Sequence, residues 1–304
     1  MKELEFIKII SNKIKSPYLG DDCAYLKDLG IVVSQDNFVE NIHFRQDWAS
    51  PFQIGYKAAA VNISDILASG AQPSYLTVGL SLPKNIDSKF ISELYRGLVA
   101  GAYGAEIIGG DITGGDKIFI SITAIGKTGN RRISSRKNAK IGYSVIASSE
   151  HGQSLLGLNE LINKGNNKDL IRAHLEPILD VKFAEEVSTK ITTDYAMMDS
   201  SDGLADALFK IAEASNVKIV TKDVSGMFGA EDYKLVAAVP KEFLHNISSY
   251  IEIGSVVEYN GAFLEIAGRN YSSYDELGLY DHFGGWYGFV FFNYYCWRYL
   301  FKIW

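Results

Sequence analysis

The chain has 304 residues, 47% of them hydrophobic and 22% charged, which is enough to bury a sizeable core and suits two domains. A formal charge of −6 argues against electrostatic capture of nucleic acid, which needs a basic surface, but leaves anionic small molecules open where metal ions mediate. The two cysteines, Cys23 and Cys296, lie far apart and without metal-binding spacing, so neither a disulfide framework nor a zinc site is expected.

The N-terminal "MKELEFIKIISNKI" reads as an amphipathic helix with scattered charges and no apolar run of a secretion signal, so the cytoplasm is the expected compartment. "GIVVSQD" (30–36) predicts a short strand ending in an acid. From Pro51, "PFQIGYKAAAVNISDILASGA" predicts a helix with proline in its first turn and Gly70 at its end. "YLTVGLSL" (75–82) predicts a strand, and residues 87–104 a helix capped by Asp87 or Ser88. "AEIIGGD" then predicts a strand that hands over to a glycine loop, and "KIFISITAIGK" another strand. The polar, basic stretch 128–142 is the best domain boundary.

Beyond it the pattern begins again. "YSVIASS" predicts a strand, residues 153–163 and 180–190 helices, and "DYAMMDSSDGLADALFKIAEAS" a strand, turn and helix. "VKIVTKD", "DYKLVAAV" and region 251–267 supply further strands, which makes the fold class α/β, of α+β type. The division expected is 1–137, 138–283 and an atypical tail, 284–304. That tail holds 11 of the chain's 38 aromatic residues, but Arg298 and Asn293 within it argue against a membrane span, so no membrane contact is expected.

The chemistry is carried by short acids beside glycine or serine, mostly where strands are expected to end: Asp21 and Asp22, Asp36, Asp111, Asp199 and Asp202, with Asp65 inside a helix. Each also has a plain structural role open to it. Asp202 suits a helix N-cap, Asp65 a solvated helix face, Asp21 and Asp22 a turn, and His43 a half-buried packing position. "EIIGGDITGG" looks like a phosphate loop with a carboxylate where the phosphate belongs. Converging carboxylates repel one another and would repel phosphate, whereas Mg²⁺ takes carboxylate, water and phosphate oxygens together. Asp111 is therefore expected to hold a metal ion that in turn holds the phosphate.

Taken in order, "GDDCA", "SQDNFVENIHF", "YKAAAVNISDILASGAQP", "IIGGDITGG", "DSSDGLADAL" and "GAEDYKLV" resemble the thiamine-monophosphate kinases, over about Leu4 to Phe283. The resemblance implies the two-domain fold shared with aminoimidazole ribonucleotide synthetase, with a first ATP- and Mg-binding domain that pairs in a homodimer. It implies ATP-dependent phosphorylation of thiamine monophosphate to thiamine diphosphate, aided by several Mg²⁺ ions. Carried over by motif, Asp21, Asp36, Asp65, Asp111, Asp199 and Asp202 would be metal ligands, with Asp111 and Asp202 the catalytic pair. Gly110, Arg136 and Ser201 would contact ATP, and His43 and Glu231 the substrate. Another ATP-using synthetase of that superfamily and a non-catalytic Mg-ATP-binding homologue are the alternatives. Gln35 and Asn37 replace the family's usual threonines beside Asp36, Gly115 an arginine, Ala230 a glycine at a position suited to positive φ, and Leu277 an aromatic residue expected to stack on substrate.

Overall fold

The computed structural model describes residues 3–279. Helix α1 (Glu3–Ile14) precedes strands β1 (Ala24–Leu26) and β2 (Ile31–Val39). Helix α2 (Pro51–Ala68), strand β3 (Gln72–Leu82), helix α3 (Ser88–Gly101), and strands β4 (Glu106–Gly114) and β5 (Phe119–Lys127) follow. The five strands form one sheet in the order β1-β2-β5-β3-β4, antiparallel except for the β3–β4 pair.

After a 3-10 turn at Arg136–Asn138 come β6 (Ser144–Ala147), α4 (Gln153–Ile162), α5 (Lys168–Leu175) and α6 (Val181–Lys190). Then follow β7 (Ala196–Asp199), α7 (Leu204–Ser215), β8 (Lys218–Thr221), β9 (Leu235–Val239), β10 (Ile251–Val257), β11 (Leu264–Ile266) and β12 (Arg269–Tyr271). These strands form a second sheet in the order β12-β11-β8-β10-β6-β9-β7. The fold is thus mixed α/β with two sheets. The aromatic tail 284–304 lies outside the described residues, and among those residues no helix is long and apolar enough to cross a membrane.

α2 organises the first half. Ser50 caps it, its Oγ accepting from the Gln53 N–H while the Gln53 side chain accepts from the Ser50 N–H. This reciprocal box satisfies two of the donors every helix start leaves open. Gly70, at φ +83°, turns the chain out after its end, as the sequence predicts. The helix is buried along nearly its whole length, and one apolar cluster joins its Ile54, Ile63 and Ile66 to sheet residues Leu76, Val78 and Ile122 and to Met197 and Ala237 of the second half. Against α3 it packs through glycines. A Cβ on Gly55 would stand 2.0 Å from the Leu94 carbonyl oxygen, and one on Gly97 1.9 Å from that of Phe52.

Four local expectations need correction. β2 runs on through Asp36 to Val39, so that acid sits within a strand and not at its end. β4 likewise runs through the glycine pair and Asp111 to Gly114; the glycines there permit close strand approach, since a Cβ on Gly110 would lie 1.8 Å from the Val78 carbonyl oxygen. The residue capping α7 is Gly203, with no side-chain cap, so Asp202 is not the N-cap. Positive φ falls on Glu231 (+64°) and Tyr233 (+52°), and Ala230 is not among the residues that adopt it.

Replacing Gly97 by alanine sets a helix-propensity gain of about 1 kcal/mol against overpacking onto an immovable backbone, which costs about 1–3 kcal/mol or more. Overpacking wins because the atom met is a carbonyl oxygen and not a flexible side chain. Gly97→Ala is expected to lower stability by about 2 kcal/mol, read as a lower denaturant midpoint at unchanged m-value. An unchanged or raised midpoint would contradict this close α2–α3 packing.

Candidate functional site

Three segments distant in sequence bring carboxylates together. Asp22 comes from the turn before β1, Asp65 from the last turns of α2, and Asp199 from the end of β7. Each offers an oxygen, and these oxygens all lie within 4.8 Å of one another. Serines steady them: Ser34 Oγ on β2 donates to Asp65 Oδ2, and Ser64 Oγ donates to Asp199 Oδ2 at 2.6 Å. Asp22 is held by Arg136, whose Nη2 donates to its Oδ1 at 2.8 Å.

The cost of assembling these charges shows in their protonation. Burial, then repulsion from Asp36, Asp199 and Asp22, pushes the Asp65 carboxyl well above its usual range. Burial and the Asp22 charge push Asp199 up to about 7. Asp36 is raised by burial and then by the charges of Asp202 and Asp22, which places it and Asp202 on the rim of the same cluster. Its backbone N–H donates to Asn62 Oδ1 on α2 at 3.1 Å. Hard oxygens gathered around one point, with charge the protein alone does not neutralise, fit a divalent cation of the Mg²⁺ type.

Asp21 is directed elsewhere. Its Oδ1 accepts from Ser135 Oγ at 3.1 Å and from the Arg136 N–H at 2.8 Å, so it fixes the turn that presents Arg136. Its neighbour Asp22, in the bend before β1, supplies the cluster oxygen instead. Asp202 is half exposed and lies 3.4 Å from Lys210 Nζ, which also pairs with buried Asp206 at 2.9 Å. Gln35 faces away from the cluster, bonded to Ser121 and Thr123 on the sheet's other side. Leu277, 1% exposed, packs in the core of the second half.

Asp111 does not join the cluster of its own chain. The ladder runs from Asp36 through Ile122 and Val78 to Gly110, three strand spacings or about 14 Å. Asp111 is exposed on β4, the edge strand.

Of the sequence-predicted substrate residues, Glu231 is paired with Lys57 and His174, and His43 with Val39 and Phe38. Glu231 projects from a loop whose N–H is fixed by the Ser201 carbonyl at 2.7 Å. Its Oε1 lies 3.3 Å from Lys57 Nζ and its Oε2 3.7 Å from His174 Nδ1. Burial favours the protonated acid, but the Lys57 charge beside it outweighs burial and holds the Glu231 carboxyl below its usual range. His43 stacks on Phe38 and accepts the Val39 N–H on its Nδ1 at 2.9 Å, which fixes it as the neutral Nε2–H tautomer.

Sequence reasoning named Asp22 among the converging acids but carried the metal role over to Asp21, and it missed the serines 34 and 64 and Lys57. A signal for Lys57 was present. At helical spacing, positions 57, 61 and 65 share one face, and a lysine aligned with a buried acid on an apolar helix asks for a reason.

Residues 20–128 match the family model for AIR synthase related protein, N-terminal domain. The chain is 34% identical to the thiamine-monophosphate kinase of Bacillus subtilis, with 74% of this chain and 78% of that protein covered. It is 33% identical to that of Synechococcus elongatus, covering 74% and 77%. Its fold is similar to that of AaThiL complexed with AMPPCP and TMP, at a TM-score of 0.83 and 27% identity over 93% of this chain and 97% of that one. With an acidic cluster assembled from the motifs that first suggested the resemblance, the chain belongs to the thiamine-monophosphate kinase family.

Proposed function

We propose that the chain transfers the terminal phosphoryl group of ATP to thiamine monophosphate, giving thiamine diphosphate and ADP in the cytoplasm. The observation that carries this reading is the convergence of Asp22, Asp65 and Asp199 in a chain whose relatives are thiamine-monophosphate kinases. AaThiL, similar in fold, is complexed with AMPPCP and TMP.

The acceptor is a phosphate oxygen already ionised at neutral pH, so the site needs no strong general base. It must hold two anions in line and offset their charge. Asp22, Asp65 and Asp199, with Asp36 and Asp202 at the rim, are the residues that would hold Mg²⁺. Bound there, the ions would neutralise the phosphate oxygens and orient them for transfer. Arg136 keeps a buried Nε–H without an acceptor among the described residues, which suits a phosphate oxygen of ATP. Ser201 and Gly110 offer a hydroxyl and bare backbone for further ATP contact. Glu231 and His43 present a carboxylate and a ring to the cationic, aromatic part of the substrate.

Asp111 enters this scheme through a homodimer. β4 lies at the open edge of its sheet and exposes Ile108 (52%) and Ile112 (62%). In this reading a second copy packs against that edge, and each β4 delivers Gly110 and Asp111 to the partner's acidic cluster.

Thiamine diphosphate formation from thiamine monophosphate and ATP is expected to require Mg²⁺ and to fall at least about 100-fold in Asp199→Asn, the scale on which loss of a charge-stabilising group is felt. Tight Mg-ATP binding without that product would instead favour the non-catalytic alternative. Asp111→Asn and Asp65→Asn should each be inactive alone, but hybrid dimers of the two should regain activity at one of their two sites. Inactive hybrids would place Asp111 in its own chain's site.

The raised carboxyls also set a pH dependence. Between the unfolded value of about 4 and the value of about 7 at Asp199, that carboxyl binds more protons in the metal-free folded chain than in the unfolded one, so its contribution to stability falls as pH rises through the window. Buried His151 and His174, each lowered to about 4, contribute with the opposite sign below their unfolded value of about 6.5, so the carboxyl is read by difference. Without metal, Asp199→Asn should gain in Tm relative to the parent between pH 5 and pH 8, and Mg²⁺ should raise the parent's Tm most at pH 8. A parent-minus-variant difference that does not fall over this range would refute the assignment.

A further inference from the structure

We propose that Lys57 is a positioning residue for substrate, its buried ammonium holding the Glu231 carboxylate charged and fixed in place. The proposal rests on Glu231 being a substrate contact.

Lys57 is 2% exposed in the middle of α2, a setting in which an ammonium is costly unless a partner compensates it. Glu231 Oε1, at 3.3 Å, is the carboxylate that does so. Even there, none of the described residues accepts from Nζ with good hydrogen-bond geometry. The pair therefore acts through charge at close range more than through a tight directional bond.

The other groups facing Glu231 cannot replace that charge. His174, from α5, is 4% exposed, and burial followed by the nearby Lys57 charge lowers its pKa to about 4, so it is neutral at physiological pH. Its Nδ1 is shared with Ser154 Oγ at 2.9 Å. His43 is neutral by the hydrogen bond its Nδ1 accepts. Lys57 is thus the full positive charge beside Glu231 among these groups. The adjoining loop is anchored in turn, since Asp232 accepts the Gly152 N–H at 2.6 Å and the Ser154 N–H at 2.9 Å.

The placement on α2 has a mechanistic use. Asp65 of the acidic cluster lies two turns further along the same helix face, about 12 Å away. One rigid, fully packed helix therefore sets the spacing between the metal-binding end of the site and the carboxylate that receives the organic part of the substrate. A protonated or displaced Glu231 would lose its attraction for a cationic ring while leaving the ATP end intact.

The test compares Lys57→Met, Lys57→Gln and Glu231→Gln with the parent enzyme, measuring KM for thiamine monophosphate and for ATP from pH 6 to pH 9. Removing the opposite charge leaves burial unopposed, an effect of about three units on a buried acid, and releases Glu231 to titrate upward. Both Lys57 variants should then show a KM for thiamine monophosphate raised about tenfold near pH 6 and returning toward the parent value by pH 9, with KM for ATP unchanged. Lys57→Gln keeps a polar side chain and serves where Lys57→Met does not fold; a purely structural lysine would affect both substrates together and without this pH dependence. Glu231→Gln should raise the same KM at every pH. If it does but the Lys57 variants follow the parent curve, or weaken ATP equally, the role of Lys57 is overturned. If Glu231→Gln leaves KM unchanged, the substrate role of Glu231 itself fails.

Discussion

Mutual repulsion among three carboxylates is the constraint around which this chain is built. At separations near 5 Å and an effective dielectric of about 20, each pair of charges costs about 3 kcal/mol, a large sum beside the net stability of a domain. The fold meets it with hydroxyl donors from Ser34 and Ser64 and a guanidinium from Arg136. Even so, the carboxyls of Asp65 and Asp199 stay pushed toward their protonated forms. Folding of the chain alone would be easier with neutral residues here. The arrangement gains its value when cations and phosphates complete it.

α2 is the element that makes such an arrangement rigid. It carries Asn62, Ser64 and Asp65 in succession, one steadying the backbone of Asp36, one the side chain of Asp199, and one joining the cluster. It is buried between the first sheet and elements of the second half, and glycines lock it against α3. A helix so enclosed cannot adjust by an ångström without moving the core, and this precision is what phosphoryl transfer by positioning requires.

Much of this was legible in the sequence because periodicity and punctuation agreed. Pro51 and Gly70 bracketed α2, Asp87 capped α3, and the alternation of β5 survived intact. The failures share a cause, which is that sequence shows residue type but not the partner opposite. The glycine pair 109–110 looks like a loop until Val78 is seen against Gly110. Asp21 and Asp22 are indistinguishable until the turn at Arg136 claims the first. Gln35, which stands where the family usually has a threonine, turns its side chain to the other side of the sheet, away from the cluster. α5 is short, and its polar sequence hid the packing of His174 and Leu175. Ala230 looked strained, whereas the positive φ belongs to Glu231, one residue on.

Edge strands ordinarily protect themselves with lysine, proline or bulky charge, because an open row of backbone groups invites another chain. β4 does little of this. From Ile107 to Gly115 its one charge is Asp111, its glycines leave backbone bare, and Ile108 and Ile112 face outward. Such an edge is a hazard on a solitary molecule and an advantage where a second copy covers it. The same residues that make the edge adhesive, glycine for close approach and a single acid, are those a phosphate site would want delivered from outside. Pairing and catalysis would then place the same demand on β4, which accounts for a motif that, within one chain, lies about three strand spacings from the cluster it resembles a part of.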